Sequence, residues 1–447
     1  MSEWKKVKIG EFLTESKVLA EKSDAAHRIT VRLNCKGVEK RGLKAEKEGA
    51  TKYYTRYAGQ FIYGKQNIHK GAFGIIPPEL DGFTSSADLP AFDIDESKCV
   101  PEWIPLCLKV DERYKTLQKE VKGVGSQRLA VNVFLNVEIP LPDVSVQRKI
   151  LTKVGKKIAS IALLDDETEK QKNYAKQLRQ NILQEAIEGK LTADWRKQNP
   201  VQKGNPNYDA EALFEKIQTE KQKKGKKQKP LPAITEAEKP FAIPSDWKWV
   251  RLGEICFNIE GGKSILCKEI VPNKNEIGIV KTGVCSFGYF KEDECKTCLS
   301  PKDWHNEYAI HKGDFLIGRA NTLELVGFCV IVDKIERKLM LSDKILRINF
   351  DEMICSDFIL CAMKSKYVRE QIERSATRSS PTMKNISQES IKNYSLPFPP
   401  LAEQKEIVAR VEKHLQTITQ LEIQIATRET TTKQLMQSIL KDAFEEK

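Results

Sequence analysis

Two stretches of this chain recur at a fixed distance, and that recurrence restricts its possible folds more than any other feature. Ile139-Pro-Leu-Pro-Asp-Val-Ser-Val-Gln-Arg-Lys-Ile150 returns as Leu396-Pro-Phe-Pro-Pro-Leu-Ala-Glu-Gln-Lys-Glu-Ile407, 257 residues later. Without a gap, the same offset aligns residues 177–190 with 434–447, where eight of fourteen positions are identical. A second match, at an offset of 243, relates Ser2-Glu-Trp-Lys-Lys-Val-Lys-Ile-Gly-Glu11 to Ser245-Asp-Trp-Lys-Trp-Val-Arg-Leu-Gly-Glu254. Between these matched ends the halves differ by 14 residues and in most of their sequence. Alike ends around unlike middles imply one scaffold, used twice, that carries two different bodies. A length of 447 residues gives each half enough chain for a core of its own.

After each Pro-x-Pro the composition becomes helical. No proline interrupts 145–188 or 402–447, and Pro142 and the Pro399-Pro400 pair stand where a helix start tolerates proline. Alternating steps of four and three from Ile150 meet Val154, Lys157, Ile161, Leu164, Thr168, Gln171, Ala175, Leu178 and Ile182. The second copy gives Ile407, Val411, His414, Ile418, Leu421, Ile425, Arg428, Thr432, Leu435 and Ile439. Both read as heptad seams with polar breaks. A helix of about 44 residues would run about 66 Å, which is longer than a small domain is wide. Two amphipathic helices packed separately on their own domains are the simpler alternative, and that length argues against it. Pseudo-twofold symmetry would place the pair antiparallel.

Residues 192–244 hold Pro200, Pro206, Pro230, Pro232, Pro240 and Pro244 and the run Lys221-Gln-Lys-Lys-Gly-Lys-Lys-Gln-Lys229. They read as a linker with at most one short helix, around 210–219, and the lysine run as a solvated tether. The bodies mix short β-rich runs (59–63, 328–332, 345–350) with turns and a helix near 357–374. Gly59-Gln-Phe-Ile-Tyr-Gly-Lys65 is echoed by Gly313-Asp-Phe-Leu-Ile-Gly-Arg319. The predicted fold class is α/β in the α+β sense: two similar small domains joined by two long antiparallel helices forming a coiled coil. The expected divisions are a first domain over 1–143, a first helix over 144–191, the linker over 192–244, a second domain over 245–400 and a second helix over 401–447.

A net charge of +12 favours a polyanionic partner, because each Lys or Arg near a phosphate releases condensed counterions. Charge alone also fits a merely basic soluble protein. No stretch approaches the roughly 18 apolar residues of a membrane span and the N-terminus lacks a signal-peptide core, so no membrane partner and a cytoplasmic location are expected. Eleven cysteines, unevenly placed, read as reduced, mostly buried thiols and not as a secreted disulfide framework.

These features together resemble the specificity subunits of type I restriction-modification systems. The resemblance rests on the tryptophan-led opening ending in Ile9-Gly10-Glu11 or Leu252-Gly253-Glu254, the variable body, the Pro-x-Pro stretch and the long helix, all present twice. The helix exit Gly189-Lys-Leu-Thr-Ala-Asp-Trp-Arg196 and the Pro399-Pro-Leu-Ala-Glu-Gln-Lys-Glu-Ile407 stretch also look like family signatures. The first copy departs from the second in having Val146-Gln147 where Glu403-Gln404 stands. The resemblance implies that each body is a target-recognition domain for half of a bipartite double-stranded DNA sequence, and that the paired helices set its spacing. It implies two modification subunits as partners, which carry S-adenosylmethionine and methylate adenine N6. Motor-nuclease restriction subunits using ATP and Mg are optional further partners. No cofactor is expected in this chain.

Catalytic signatures should then be missing. Pro77-Pro78 and Pro399-Pro400 lack the polar residue that precedes Pro-Pro in amino-methyltransferases. Gly261-Gly-Lys-Ser264 has Phe257 where a phosphate loop wants glycine. Asp143 and Glu188-Gly-Lys190 fall at opposite ends of one predicted helix, whereas two-metal sites need about 4 Å. Cys295 and Cys298 with His305 and His311 are too closely spaced for a familiar zinc finger. No catalytic or metal-ligating residues are therefore assigned.

Sequence readout needs Arg, Lys, Asn or Gln on loops that enter a groove. The loops before each Pro-x-Pro fit, with Lys122, Ser126, Gln127 and Arg128 in the first half and Arg378, Ser379, Lys384 and Asn385 in the second. Lys65, Gln66, Asn67 and Lys70, with Arg319 and Asn321, follow the two similar Gly-x-Phe runs. The predicted spacer-helix and subunit-interface positions are Gln147, Ile150, Val154, Ile161, Leu178, Ile182, Gln404, Ile407, Val411, Ile418, Leu435 and Ile439. A non-enzymatic coiled-coil scaffold without DNA reading is the alternative function.

Overall fold

The computed structural model describes residues 4–21, 24–42, 52–121, 127–223, 230–273, 276–378 and 382–445. The chain forms two compact units, residues 1–171 with 424–447 and residues 172–423. Their boundary falls inside both long helices, which span Val144–Ile187 and Leu401–Glu445.

In the first unit a four-stranded antiparallel sheet has the order Leu13–Ser16, Ala91–Ile94, Phe61–Tyr63, Phe73–Ile75. Its aromatic residues build the core: Phe61 stacks on Phe134 at 5.4 Å, and Tyr63, Phe73 and Phe92 close around them. Lys6–Lys8 pairs with Glu138–Pro140, the strand that leads into the first long helix. The last turns of the second long helix return to this core, where Phe444 stacks on Trp103 at 5.1 Å and meets the edge of Trp4. Val154 shares that core with Leu440, and Gln171 accepts from Arg428, so within this unit the two helices run in opposite directions.

The second unit repeats the plan. Its sheet has the order Cys256–Gly261, Ile345–Phe350, Phe315–Gly318, Cys329–Ile331, and Lys248–Arg251 pairs with Ser395–Phe398. Between the strands of the core sheet, the second unit has a four-stranded sheet of Cys267–Lys268, Cys295–Cys298, Ile277–Val280 and Lys338–Met340, where the first unit has two pairs, Ile29–Val31 with Val38–Lys40 and Tyr53–Thr55 with Thr84–Ser86. The single helix expected near 357–374 is two, Ser356–Lys364 and Lys366–Ser375. Ser365 takes an extended conformation between them, and its hydroxyl caps the second by accepting from the Val368 N–H.

The ungapped offset of 257 is visible as burial. Val154, Ile161, Thr168 and Ala175 are buried on the first helix, as are Val411, Ile418, Ile425 and Thr432 on the second. The contact stripe therefore repeats every seven residues and takes one position per heptad. That is narrower than the predicted seam, since Leu164, Leu178, Leu421 and Leu435 are all more than two-fifths exposed. Ile407 and Ile182 are buried, while Ile150 and Ile439 are half-buried and pack on the first core. Two helices meeting in one line leave these flanking heptad positions to solvent where no third element among the described residues covers them.

Gln147 and Gln404, expected on the spacer or a subunit interface, are wholly buried within their own bodies. Gln147 Oε1 accepts from the Val100 N–H at 2.8 Å, while its Nε2 donates to the Pro142 and Lys98 carbonyls at 2.7 and 2.9 Å. Gln404 Oε1 accepts from the Cys355 N–H at 3.0 Å and its Nε2 donates to the Pro399 carbonyl at 2.8 Å. Proline carries a carbonyl that needs a donor, and each amide supplies one while tying the helix start to its body.

The departure at Glu403 has a local cause. Its buried carboxylate accepts from Thr192 Oγ1, Arg196 Nη1 and Trp247 Nε1, so it gathers the helix exit and the opening tryptophan at one point. Burial pushes its pKa upward despite these three donors. Gly189, at φ +72°, ends the first helix where an added Cβ would lie 2.6 Å from the Pro244 ring. In the first unit Trp4 instead packs on the apolar Phe444, and Val146 stands where the second copy has Glu403.

The linker is more structured than its composition implied. Helices span Ala193–Gln198 and Ala210–Lys223, and Lys221 is buried, its Nζ donating to the Gly253 and Glu254 carbonyls at 2.8 Å each. Arg251 donates to the Pro232 and Ala233 carbonyls and to both oxygens of Glu238. Most of these acceptors are backbone carbonyls, which leave no mark in composition. Residues 224–229 of the lysine run lie outside the described residues.

Two outcomes follow. Gln404→Leu, which strands a buried N–H and a proline carbonyl, is expected to lower the unfolding free energy of the full chain by about 2–4 kcal/mol in denaturant titrations. Hydrogen bonds from Arg251 hold the Glu238 carboxyl at about 2, below its ordinary 4.5. Its contribution to stability is therefore complete above pH 4.5 and lost as pH falls through about 2. Glu238→Gln should be less stable than the wild type at pH 7, with the gap closing on acidification.

Candidate nucleic-acid interface

At the end of the Phe61–Tyr63 strand, the Gly64 N–H donates to the Ala72 carbonyl at 2.9 Å and closes a hairpin. The Asn67 carbonyl accepts from the Lys70 and Ala72 N–H groups. Gly71 turns the chain at φ +80°, and a Cβ there would lie 2.7 Å from the Cys35 nitrogen, so the turn requires glycine. Residues 34–35 brace the hairpin from behind, their N–H groups donating to the Lys70 and Gly71 carbonyls. Gln66 and Lys70 are exposed, and Lys65 and Asn67 are half-buried.

Lys65 joins two distant segments through its backbone. Its N–H donates to the Asp88 carbonyl and its carbonyl accepts from the Leu129 N–H, both at 2.9 Å. This brings the two candidate loops of the first half together, with exposed Gln127 and Arg128 beside the hairpin. The Arg128 guanidinium is engaged by Asp88 through two hydrogen bonds, at 3.0 and 3.2 Å. A base or phosphate would have to compete with that carboxylate. Lys122 and Ser126 lie outside the described residues.

The second body builds the same junction. The Gly318 N–H donates to the Phe328 carbonyl at 3.0 Å, the Arg319 N–H to the Lys344 carbonyl at 2.9 Å, and the Arg319 carbonyl accepts from the Ile386 N–H at 2.9 Å. From this shared frame the second body departs. Ala320–Asn321 pairs with Lys384–Asn385, which pairs in turn with Thr377–Arg378. The register places Asn321, Lys384 and Arg378 side by side across one face, and buried Ala320 and half-buried Asn385 on the other. Lys384 directly opposite Arg378 is an unfavourable like-charge pair in the free protein, which a polyanion would relieve. Arg and Lys address guanine edges and Asn addresses adenine, so the row offers a mixed set of donors and acceptors. Asn385 Oδ1 is buried with no hydrogen-bond partner among the described residues. Ser379 lies outside the described residues.

Sequence reasoning missed Asp88, which holds Arg128, and Ser286, whose hydroxyl accepts from Asn321 Nδ2 at 3.2 Å. Neither sits in a motif, and both come near only through the fold. Among the described residues no group of three or more His, Cys, Asp or Glu is placed to hold a metal, and no helix is long and apolar enough to cross a membrane.

Residues 244–428 match the family described as "Type I restriction modification DNA specificity domain". The second half of the chain is therefore similar to this family. It is 33% identical over 256 residues to the type I restriction enzyme EcoEI specificity subunit of Escherichia coli, covering 57% of this chain and 42% of that relative. It is 29% identical over 269 residues to the EcoAI specificity subunit of the same species, covering 59% and 44%. The match thus spans less than half the length of either relative. A solved chain from work on complex assembly and conformational transition of the type I R-M system shares the fold, with a TM-score of 0.60 at 19% identity, covering 99% of this chain and 98% of that one.

Placing this family's reading surface on the Asn321, Lys384 and Arg378 row has a direct test. Lys384→Ala and Arg378→Ala should each weaken DNA binding of the assembled complex about ten- to hundredfold in titrations at fixed salt. Unchanged affinity together with an unchanged methylated sequence would remove the row from the interface.

Proposed function

We propose that this chain is the sequence-specific DNA-binding specificity subunit of a type I restriction-modification complex, reading a bipartite double-stranded target and performing no catalysis itself. The carrying observation is the duplicated junction. Lys65 and Arg319 are held by the same backbone bonds in two sheets of the same order, yet the loops around them differ. A frame used twice with unlike loops suits two unlike half-sites, and the net charge of +12 suits a phosphate backbone.

Two modification subunits would dock on the long helices and supply adenine N6 methylation with S-adenosylmethionine. Restriction subunits would add ATP- and Mg-dependent translocation and cleavage, and the assembly would act in the cytoplasm. The exposed apolar residues of the helices support this role, above all Leu163 at 72%, Tyr174 at 63% and Ile423 at 62%. Such side chains on helices with otherwise polar flanks fit a partner surface. The same residues also fit a second reading, a scaffold that merely self-associates through its helices.

The two readings separate when the purified chain, alone and with its co-expressed modification subunit, is tested for DNA retention and methylated adenines are mapped. Methylation only in the mixture, at one two-part sequence, is expected. Methylation by the chain alone, or the absence of sequence preference in the mixture, would overturn the proposal.

A further inference from the structure

Beside the Asn321, Lys384 and Arg378 row, the second body exposes two aromatic rings that its core does not use. Val284, Cys285 and Phe290 are buried and anchor both ends of a short loop, and the Lys291 N–H donates to the Val284 carbonyl to close it. Between these anchors Phe287 and Tyr289 are 51% and 59% exposed, with ring centroids 6.3 Å apart. Gly288 separates them at φ +82°. The loop is fixed to the reading row by the Asn321–Ser286 hydrogen bond, and Lys364 Nζ donates to the Gly288 carbonyl. Lys291 Nζ lies 4.0 Å from the centre of the Phe287 ring.

Two large apolar rings held in water on a braced loop lose hydrophobic stabilisation unless something covers them. The surrounding cations specify what can do so. Lys364, Lys384 and Arg378 favour a polyanion, while Lys291 is shared with Glu294 at 3.5 Å; the adjoining Asn, Lys and Arg side chains carry the donors suited to the major groove. In that groove the one apolar group presented by an intact base pair is the thymine C5 methyl. Base faces become accessible only when a step is unstacked, a geometry typical of minor-groove wedges.

We propose that Phe287 and Tyr289 pack against thymine methyl groups in the half-site read by the second body, adding an apolar selection to the polar one made by the Asn321 row. This inference rests on the proposed DNA-reading function and names part of its specificity. The test uses the full chain assembled with its modification subunit, and a duplex carrying the mapped target in which single thymines are replaced by deoxyuridine. Each contacted methyl is worth about fourfold in affinity. The wild-type complex should lose about that factor at one or two thymines of this half-site, and F287A/Y289A should bind thymine and uracil duplexes equally. The folding of the variant is checked by its circular dichroism and by retained sensitivity to the other half-site.

A half-site without thymine, or a double variant that still distinguishes thymine from uracil, would overturn the inference while leaving DNA reading intact. Brightening of 2-aminopurine in the wild-type complex, lost in the variant, would overturn it in favour of an unstacking wedge. A wild-type complex with no sequence preference at all would instead overturn the DNA-reading function itself.

Discussion

A glutamine amide, wholly buried at the first turn of each long helix, holds together what would otherwise be separate pieces. Its oxygen takes a backbone N–H from the body and its nitrogen serves a proline carbonyl in the strand before the helix. A buried amide satisfied on both sides is strongly directional, because every displaced bond leaves an unpaired polar group away from water. The helix therefore leaves its body in one direction, and the candidate reading loops keep a fixed relation to the arm. Everything proposed for this protein needs that rigidity, since a loop reading base edges must stay in register with the element that presents it.

The candidate reading surface follows a similar logic. In both bodies a lysine or arginine is held through its backbone, by one carbonyl and one N–H from distant segments, so its position does not depend on its side chain. The side chains around it are free to differ. In the first body Arg128 is restrained by Asp88, whereas in the second Lys384 and Arg378 stand opposed without charge compensation from each other. The fold spends its order on the backbone frame and leaves the variable chemistry at the surface.

The asymmetry at the helix starts shows how one substitution carries a structural consequence. Glu403 gathers Thr192, Arg196 and Trp247, and the described linker segments are pinned to the second body through Lys221 and Arg251. In the first unit the place opposite the opening tryptophan is taken by Phe444, an apolar contact. A carboxylate there would lack the donors that make burial of Glu403 tolerable.

The sequence by itself determined the duplication, the length of both helices and the net positive charge. These are properties of period, proline placement and charge, and the buried positions 154, 161, 168 and 175 recur at 411, 418, 425 and 432 as the offset of 257 requires. It also identified Lys65 and Arg319 as counterparts. Only the tertiary structure decided that Leu178 and Leu435 face solvent, because heptad periodicity does not reveal how many helices share a seam. It alone turned Gln147 and Gln404 inward and docked Lys221 of the linker, since their partners are backbone groups that every residue carries. It alone placed Asn321, Lys384 and Arg378 in one row beside Phe287 and Tyr289, because strand register joins residues far apart in the chain.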